Sequence, residues 1–230
     1  MFFNLHTHKS GSDPEVVELV NQYPQELASP SSGKDPRVDA TIPFYSIGIH
    51  PWHIVENRVS EDLGIIKSKL GEQNCLAIGE CGLDKRIEIP FDLQVGVFEK
   101  QLALAERYQK PVVIHCVAAF SEVMEIKKRL KISVPMIIHG FSKNEQTAKQ
   151  LLDHGFYLSF GKYLLRNPEL ESVFKSVPDD RFFLETDTIE ESIRDVYNLA
   201  AKYRSTDLQT LQNTIKQNFS SVFNRTNLII

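Results

Sequence analysis

The sequence predicts an α/β protein of the TIM (β/α)8-barrel type, and three observations support this fold class. Eight short apolar runs lack polar alternation, which is typical of strands buried on both faces of a parallel sheet. Helical patterns separate the later runs, as strand–helix–strand units require. Six runs end at or near a histidine or a carboxylate, and barrel enzymes place their chemistry at the C-terminal ends of their strands.

The predicted elements follow from these patterns in chain order. We expect strands over residues 2–6, 15–20, 44–49, 75–79, 111–115, 135–139, 155–160 and 181–186. Apolar residues at helical spacing predict helices over residues 91–109, 119–131 and 144–153, with a wholly helical C-terminal part from about residue 188.

The first third of the chain departs from a regular barrel. Only a short Lys-Ser-Gly-Ser-Asp-Pro turn separates His8 from Glu15, which is too short for a crossover helix. Residues 29–43 are rich in residues that interrupt helices and strands, including three prolines, and are predicted to form a loop. We therefore expect a barrel that is trimmed or distorted at its start, with residues 1–230 forming a single domain.

Bulk composition excludes several classes of protein. The net charge is −4 and the pI is near 6.0, so no global basic field attracts nucleic acid. The three cysteines have no C-x-x-C spacing, which suits a reducing compartment. No secretory signal and no apolar run long enough for a membrane span are evident, which predicts a cytoplasmic protein with no membrane partner.

Metal-ligand residue types recur at the strand ends. The predicted ligands are His6, His8, Glu80, His115, His139 and Asp187. Because side chains at i and i+2 of a strand share a face, His6 and His8 can reach one ion together. Glu80 directly follows an apolar run, and its two oxygens could bridge two ions, with His115 and His139 completing the second site.

Asp187 could bind the first ion or accept a proton from its water, so Glu80 and Asp187 are the predicted catalytic residues. A set of imidazoles and carboxylates without thiolate suits two divalent ions. It does not distinguish Zn²⁺, Mn²⁺, Ni²⁺, Fe²⁺ and Mg²⁺, although it suits Mg²⁺ less well.

The motifs that contain these residues resemble those of the TatD family of metal-dependent hydrolases. They are His6-Thr7-His8, Gly48-Ile49-His50-Pro51, Ala77-Ile78-Gly79-Glu80-Cys81-Gly82-Leu83-Asp84, Pro111-Val112-Val113-Ile114-His115-Cys116, His139-Gly140-Phe141-Ser142 and Leu184-Glu185-Thr186-Asp187. The resemblance implies a TIM barrel and a deoxyribonuclease that uses two metals to activate water against a phosphodiester, with DNA as its substrate.

Three departures from the family pattern concern groups other than the predicted ligands. Asn4 stands where the family usually has an aspartate. Residues 117–119 contain no arginine after the His115-Cys116 pair, and Thr188-Ile189 replaces a Ser/Ala-Pro pair. The predicted metal ligands are all retained, whereas the substrate-binding groups are fewer.

Four further residues are candidates for substrate binding. His50 and His53 flank Pro51-Trp52 beyond a strand end, where they could orient a phosphate, or could belong to a capped loop. Lys85 and Arg86 closely follow Glu80 and could bind a phosphate or form a solvated loop. Trp52 could stack on a base or pack against the loop.

The ligand set alone allows two other functions. An amidohydrolase-type barrel could act on a small C–N or ester substrate, because activated water also attacks carbonyl carbon. The chain could instead be a metal-bound scaffold without turnover, an alternative to which Asn4 and the missing arginine give mild support.

Overall fold

The computed structural model describes residues 1–28 and 44–224. Its strands are β1 (Phe2–Thr7), β2 (Val16–Gln22), β3 (Phe44–Ile47), β4 (Cys75–Asp84), β5 (Val112–Val117), β6 (Met136–Ile138), β7 (Phe156–Phe160) and β8 (Phe182–Leu184). They form an eight-stranded sheet in the order β1 to β8, and the pairs β3–β4, β4–β5, β6–β7 and β7–β8 are parallel. Each of the eight predicted strands is present, and the α/β barrel class is confirmed.

Helices connect most of these strands. They are α1 (Pro24–Ala28), α2 (Val59–Lys69), α3 (Phe91–Tyr108), α4 (Phe120–Leu130), α5 (Glu145–Asp153), α6 (Lys162–Arg166), α7 (Leu170–Ser176), α8 (Ile193–Arg204) and α9 (Leu208–Val222), with 3₁₀ turns at Pro51–His53, Glu56–Arg58 and Asp179–Arg181. Residues 8–15 contain no helix, as predicted, so the barrel is trimmed at its first connection. The breaker-rich loop predicted over residues 29–43 lies outside the described residues.

Three predicted boundaries were wrong. β4 continues to Asp84 rather than ending near residue 79, so Glu80 lies within the strand. The last strand ends at Leu184 rather than near residue 186, and beyond it an isolated parallel bridge joins Asp187 to Thr7. The C-terminal helical part begins at Ile193 rather than near residue 188. Ser192 forms a capping box with Asp195, which fixes the start of α8 there.

The contacts within the chain group its residues into two units, Met1–Leu19 with Pro135–Ile230 and Val20–Val134. The prediction of one domain over residues 1–230 stays a prediction. None of the helices in the described ranges combines the length and the hydropathy that a membrane span requires.

In the first unit, aromatic packing joins β1, β7 and β8 to the C-terminal helices. The Phe174 ring contacts both Phe160 and Phe182 edge to face, with centroids 5.1 and 5.0 Å apart. The Tyr197 hydroxyl of α8 donates to the Phe3 carbonyl and accepts from the Phe3 amide of β1. A parallel bridge between Thr7 and Asp187 places the chain just after β8 beside the end of β1.

In the second unit, two buried glutamines of α3 fix the chain around β4. Gln101 accepts from the Ile49 amide at 2.7 Å and donates to the Ile49 carbonyl at 3.1 Å. Gln94 makes the same pair of bonds to the backbone of Asp84. The bonds of Gln94 hold the C-terminal end of β4 in place, and those of Gln101 hold the chain just after β3.

Candidate metal centre

In the first unit, His6, His8 and Asp187 converge where β1 meets the chain after β8. One ligand atom from each lies within 4.8 Å of the others. Asp187 Oδ1 is 3.7 Å from His6 Nε2 and 3.4 Å from His8 Nε2. Two ligands bound at about 2.0–2.1 Å to a tetrahedral ion lie roughly 3.4 Å apart, so these spacings suit one ion with little rearrangement.

Backbone and side-chain hydrogen bonds hold Asp187 in this position. Its amide donates to the His6 carbonyl at 2.9 Å, and its carbonyl accepts from the His8 amide at 3.2 Å. Buried Asn4 fixes the preceding residue, because its oxygen accepts from the Thr186 amide and its amide group donates to the Thr186 hydroxyl. Asn4 can therefore hold Thr186 in place although it lacks the charge of the aspartate that the family usually has at this position.

His139 follows β6 in the same unit and lies beside His6, with ring centroids 4.6 Å apart. Glu185 is completely buried, and its Oε1 accepts from the Gly140 amide at 2.6 Å. The same oxygen is 3.6 Å from His139 Nδ1, beyond hydrogen-bond length. The second oxygen, Oε2, accepts no hydrogen bond from any described residue. A buried carboxylate with spare acceptor capacity beside an imidazole fits a metal centre, where the ligand histidine donates to it.

In the second unit, Glu80 lies between two histidines. Its Oε1 is 3.0 Å from His50 Nε2 and 2.8 Å from His115 Nδ1, and the three residues offer ligand atoms within 4.8 Å of one another. The Glu80 amide donates to Asn21 Oδ1 at 2.5 Å, which fixes the backbone of the carboxylate residue. Glu80 is almost fully buried, a position that a carboxylate occupies only when its charge is balanced.

The hydrogen bonds of His50 determine its tautomer. Its Nδ1 accepts from the Trp52 amide at 3.1 Å, so in the neutral ring Nε2 carries the proton and donates to Glu80. Burial lowers the pKa of His50, although the bond to Glu80 opposes this, and the ring is therefore neutral near pH 7. The structure places His50 in a buried position, where it donates to Glu80.

Asp84, at the C-terminal end of β4, contacts the second ring nitrogen of His115. Its Oδ2 accepts from Trp52 Nε1 at 2.8 Å and lies 3.4 Å from His115 Nε2, while Oδ1 accepts from the Arg86 amide. Burial alone would raise the pKa of Asp84, but these hydrogen bonds outweigh it and lower the pKa. With its Nε2 proton donated to Asp84, His115 would have Nδ1 free to bind a metal ion.

The remaining predicted substrate-binding residues lie in different surroundings. Lys85 forms an ion pair with Glu122, so its positive charge is already paired. Arg86 is exposed and forms no ion pair with any described residue. His53 is exposed, and its ring centroid is 4.9 Å from that of Tyr23. Of the two cations, Arg86 is therefore the one that remains available for an anionic ligand.

Sequence reasoning missed Asp84, Glu185 and Asn21 as parts of the centre. Asp84 and Glu185 lie within the motifs that resemble the TatD family, and each directly follows a leucine, which is the signal that could have identified them. Asn21 gave no such signal, because a single amide in β2 is indistinguishable from an ordinary polar strand residue.

A sheet ordered β1 to β8, with histidines and carboxylates after its parallel strands, defines a TIM-barrel protein of the metal-dependent hydrolase class. The chain belongs to the TatD-related DNase family, whose model matches residues 39–224. This confirms the resemblance found in the motifs.

Solved structures agree on the fold. The chain is similar to the TatD homologue YJJV from Escherichia coli k12, with a TM-score of 0.80 and 21% identity over 97% of this chain and 98% of that one. It is also similar to a TatD family hydrolase from Entamoeba histolytica, with a TM-score of 0.77 and 16% identity over 98% of each chain.

Curated relatives are similar over part of the chain. The uncharacterized metal-dependent hydrolase YabD of Bacillus subtilis (strain 168) is 35% identical over 63% of this chain and 58% of its own length. A protein of Cronobacter sakazakii named 3'-5' ssDNA/RNA exonuclease TatD is 32% identical over 61% of this chain and 55% of its own. The chain thus spans less than two thirds of the length of these relatives.

Proposed function

We propose that this chain is a metal-dependent phosphodiesterase that hydrolyses single-stranded DNA. The observation that carries the proposal is the presence of two groups of metal-ligand side chains, His6–His8–Asp187 in one unit and Glu80 with His115 in the other. Family membership supports a hydrolase. The Cronobacter sakazakii relative named as a ssDNA/RNA exonuclease supports a nucleic-acid substrate.

Two divalent ions, one for each group of ligands, would supply the chemistry by activating water and neutralising charge on the phosphate oxygens. His6, His8 and Asp187 would hold one of them, and Glu80 with His115 would hold the other. The imidazole and carboxylate donors fit Zn²⁺, Mn²⁺, Ni²⁺ or Fe²⁺. The ligand role of His139 and the bridging role of Glu80 stay predictions.

The chain's own residues would divide the remaining work. Asp187 is 24% exposed at its side chain whereas His6 is fully buried, so water reaches the carboxylate of this group. We assign Asp187 as the base that accepts a proton from the attacking water. His50 holds Glu80 through its Nε2 proton, and Asp84 holds His115 at its second nitrogen.

The test is cleavage of 5′-labelled single-stranded DNA by protein stripped of metal and then supplied with Mn²⁺, Mg²⁺ or Zn²⁺. Wild-type protein is compared with Glu80→Gln and with Glu88→Gln, a control at an exposed glutamate of the following loop. Loss of several kcal/mol of charge stabilisation predicts a fall of about 100-fold or more in Glu80→Gln. We expect Glu88→Gln to cleave as wild type does.

Equal cleavage by wild type and Glu80→Gln would indicate a contaminating nuclease and contradict the proposal. If wild type fails to cleave DNA with any of the three metals, a panel of small amides and esters tests the amidohydrolase alternative. Bound metal without turnover of any substrate would favour the scaffold alternative.

We further propose a reducing, cytoplasmic location on the basis of the cysteines. Cys75, Cys81 and Cys116 form no disulfide, and burial raises the pKa of the Cys75 thiol to about 11. Buried thiols of this kind are inert core residues that need no oxidising compartment. Fractionation of cells that express the tagged protein would test this location.

A further inference from the structure

Trp52 is an exposed aromatic residue whose side chain is nevertheless fixed beside the proposed centre. It lies in the 3₁₀ turn Pro51–His53 of the second unit, and 57% of its surface is exposed. Single exposed apolar residues are common on protein surfaces and usually have no anchoring contacts. Trp52 differs because both its backbone and its indole nitrogen are anchored by buried residues.

Two hydrogen bonds fix Trp52, one from its backbone and one from its ring. The Trp52 amide donates to His50 Nδ1 at 3.1 Å, and the indole Nε1 donates to Asp84 Oδ2 at 2.8 Å. Asp84 is itself held, because its amide donates to Gln94 of α3. A charged acceptor that is 2% exposed makes a strong, oriented bond, so the indole plane has little rotational freedom.

Two histidines contact the Trp52 indole edge to face, and more than half of the residue stays exposed. The His50 and His115 rings lie 5.2 and 5.7 Å from the indole, with interplanar angles of 85° and 74°. Neither ring lies parallel to the indole, so neither stacks flat upon it. A rigid, solvent-accessible indole that loses little entropy on binding is suited to a flat aromatic ligand.

We propose that Trp52 is the platform on which one base of the single-stranded substrate stacks. This inference rests on the proposed function, because it identifies how the same site recognises its substrate. Asp84 contacts both Trp52 Nε1 and His115 Nε2. A base stacked on Trp52 would therefore be separated from a predicted metal ligand, His115, by only the side chain of Asp84. Stacking on a π face tolerates any base, so the subsite would bind without sequence preference.

Trp52 is the only tryptophan of the chain, so its fluorescence reports on this subsite alone. The experiment titrates wild-type protein with an oligodeoxythymidylate of about eight nucleotides in EDTA, so that the proposed metal-dependent cleavage does not proceed. An abasic backbone of the same length is the matched control, since it has the phosphates without the bases. We expect saturable quenching by the base-bearing strand and none by the abasic strand.

Fluorescence anisotropy of the labelled oligonucleotide measures binding independently. Trp52→Ala should weaken binding by about 5- to 150-fold, the range that one base–aromatic stack contributes. Val55→Ala is the control, because Val55 is 50% exposed and lies three residues away in the same loop. It should bind within about twofold of wild type. Trp52→Phe keeps an aromatic face but loses the bond to Asp84, so its affinity should fall between those of wild type and Trp52→Ala.

Two results would overturn the inference in distinguishable ways. If the oligonucleotide binds by anisotropy without changing the fluorescence of wild-type protein, Trp52 does not stack on a base, although nucleic-acid binding stands. If no oligonucleotide binds and none is cleaved, the proposed function fails together with the inference. The wild-type titration involves no substitution, so it decides the matter even where a variant fails to fold.

Discussion

Gly82 lies where β4 approaches β5 most closely, and we predict that Gly82→Ala severely destabilises the protein. Gly82 has a φ of 148° and pairs with His115 across the two strands. A Cβ built on Gly82 would lie 2.0 Å from the His115 carbonyl oxygen and 2.9 Å from its carbon. Non-bonded heavy atoms prefer about 3.5–4.0 Å, so the strands must separate by more than about 1 Å to accept alanine.

The magnitude follows from two separate penalties. An L side chain at this φ costs about 1–3 kcal/mol, because the region is accessible almost only to glycine. Forcing an atom into a packed contact costs about 1–3 kcal/mol more. The sum, roughly 2–6 kcal/mol, is a large part of the about 5–15 kcal/mol that stabilises a typical protein. Because the clash is with the His115 carbonyl, the same change should also displace a predicted metal ligand.

Urea unfolding followed by circular dichroism measures the effect, with Gly96→Ala as the matched control. Gly96 lies in α3, and a Cβ there meets nothing within 4 Å. Alanine at this helical position should raise the free energy of unfolding by about 0.5–1 kcal/mol. If Gly82→Ala unfolds at the same urea concentration as wild type, the close approach of β4 and β5 described above is wrong.

Two further predictions concern residues that position the candidate ligands. Asp84→Asn should lower the affinity for Zn²⁺ by about 10- to 100-fold, because His115 loses its charged acceptor. Calorimetry measures this affinity. An unchanged value would show that Asp84 does not support metal binding. Asn4→Ala loses both buried bonds to Thr186 and should cost about 1–3 kcal/mol in urea unfolding. Asn4→Asp should cost less than about 1 kcal/mol, since its oxygens can accept from the Thr186 amide and hydroxyl; equal costs for both variants would contradict this role.

The sequence was sufficient to predict the strands because their signal is local. Runs such as residues 111–115 and 135–139 are continuously apolar, and burial on both faces of a sheet demands that composition. The metal ligands were predictable for the same reason, since a polar residue directly after such a run lies at the strand's C-terminal end. In the structure, His6 and His115 lie within the last three residues of β1 and β5, and His139 directly follows β6.

Contacts that depend on register between distant segments were not predictable. Gln94 and Gln101 occupy the apolar face of α3, where a helical pattern predicts only packing, yet they bond the backbone of Asp84 and Ile49. The tautomer of His50 depends likewise on two partners, one local in the 3₁₀ turn and one in β4. These hydrogen bonds depend on how distant segments pack in the folded chain, and the spacing of residues in the sequence does not reveal that packing.

The carboxylates beside the histidines explain why the departures from the family pattern leave the centre intact. Asp84 lies at the second nitrogen of His115, and Glu185 lies beside His139. An acceptor that is hydrogen-bonded to a ligand imidazole fixes the ring and increases its basicity, as Asp84 can do for His115. Neither Asn4 nor the missing arginine after Cys116 alters these pairs, so we expect metal affinity to be retained. Substrate affinity then depends on the few groups that remain accessible, and Trp52 is the one whose orientation the centre itself fixes.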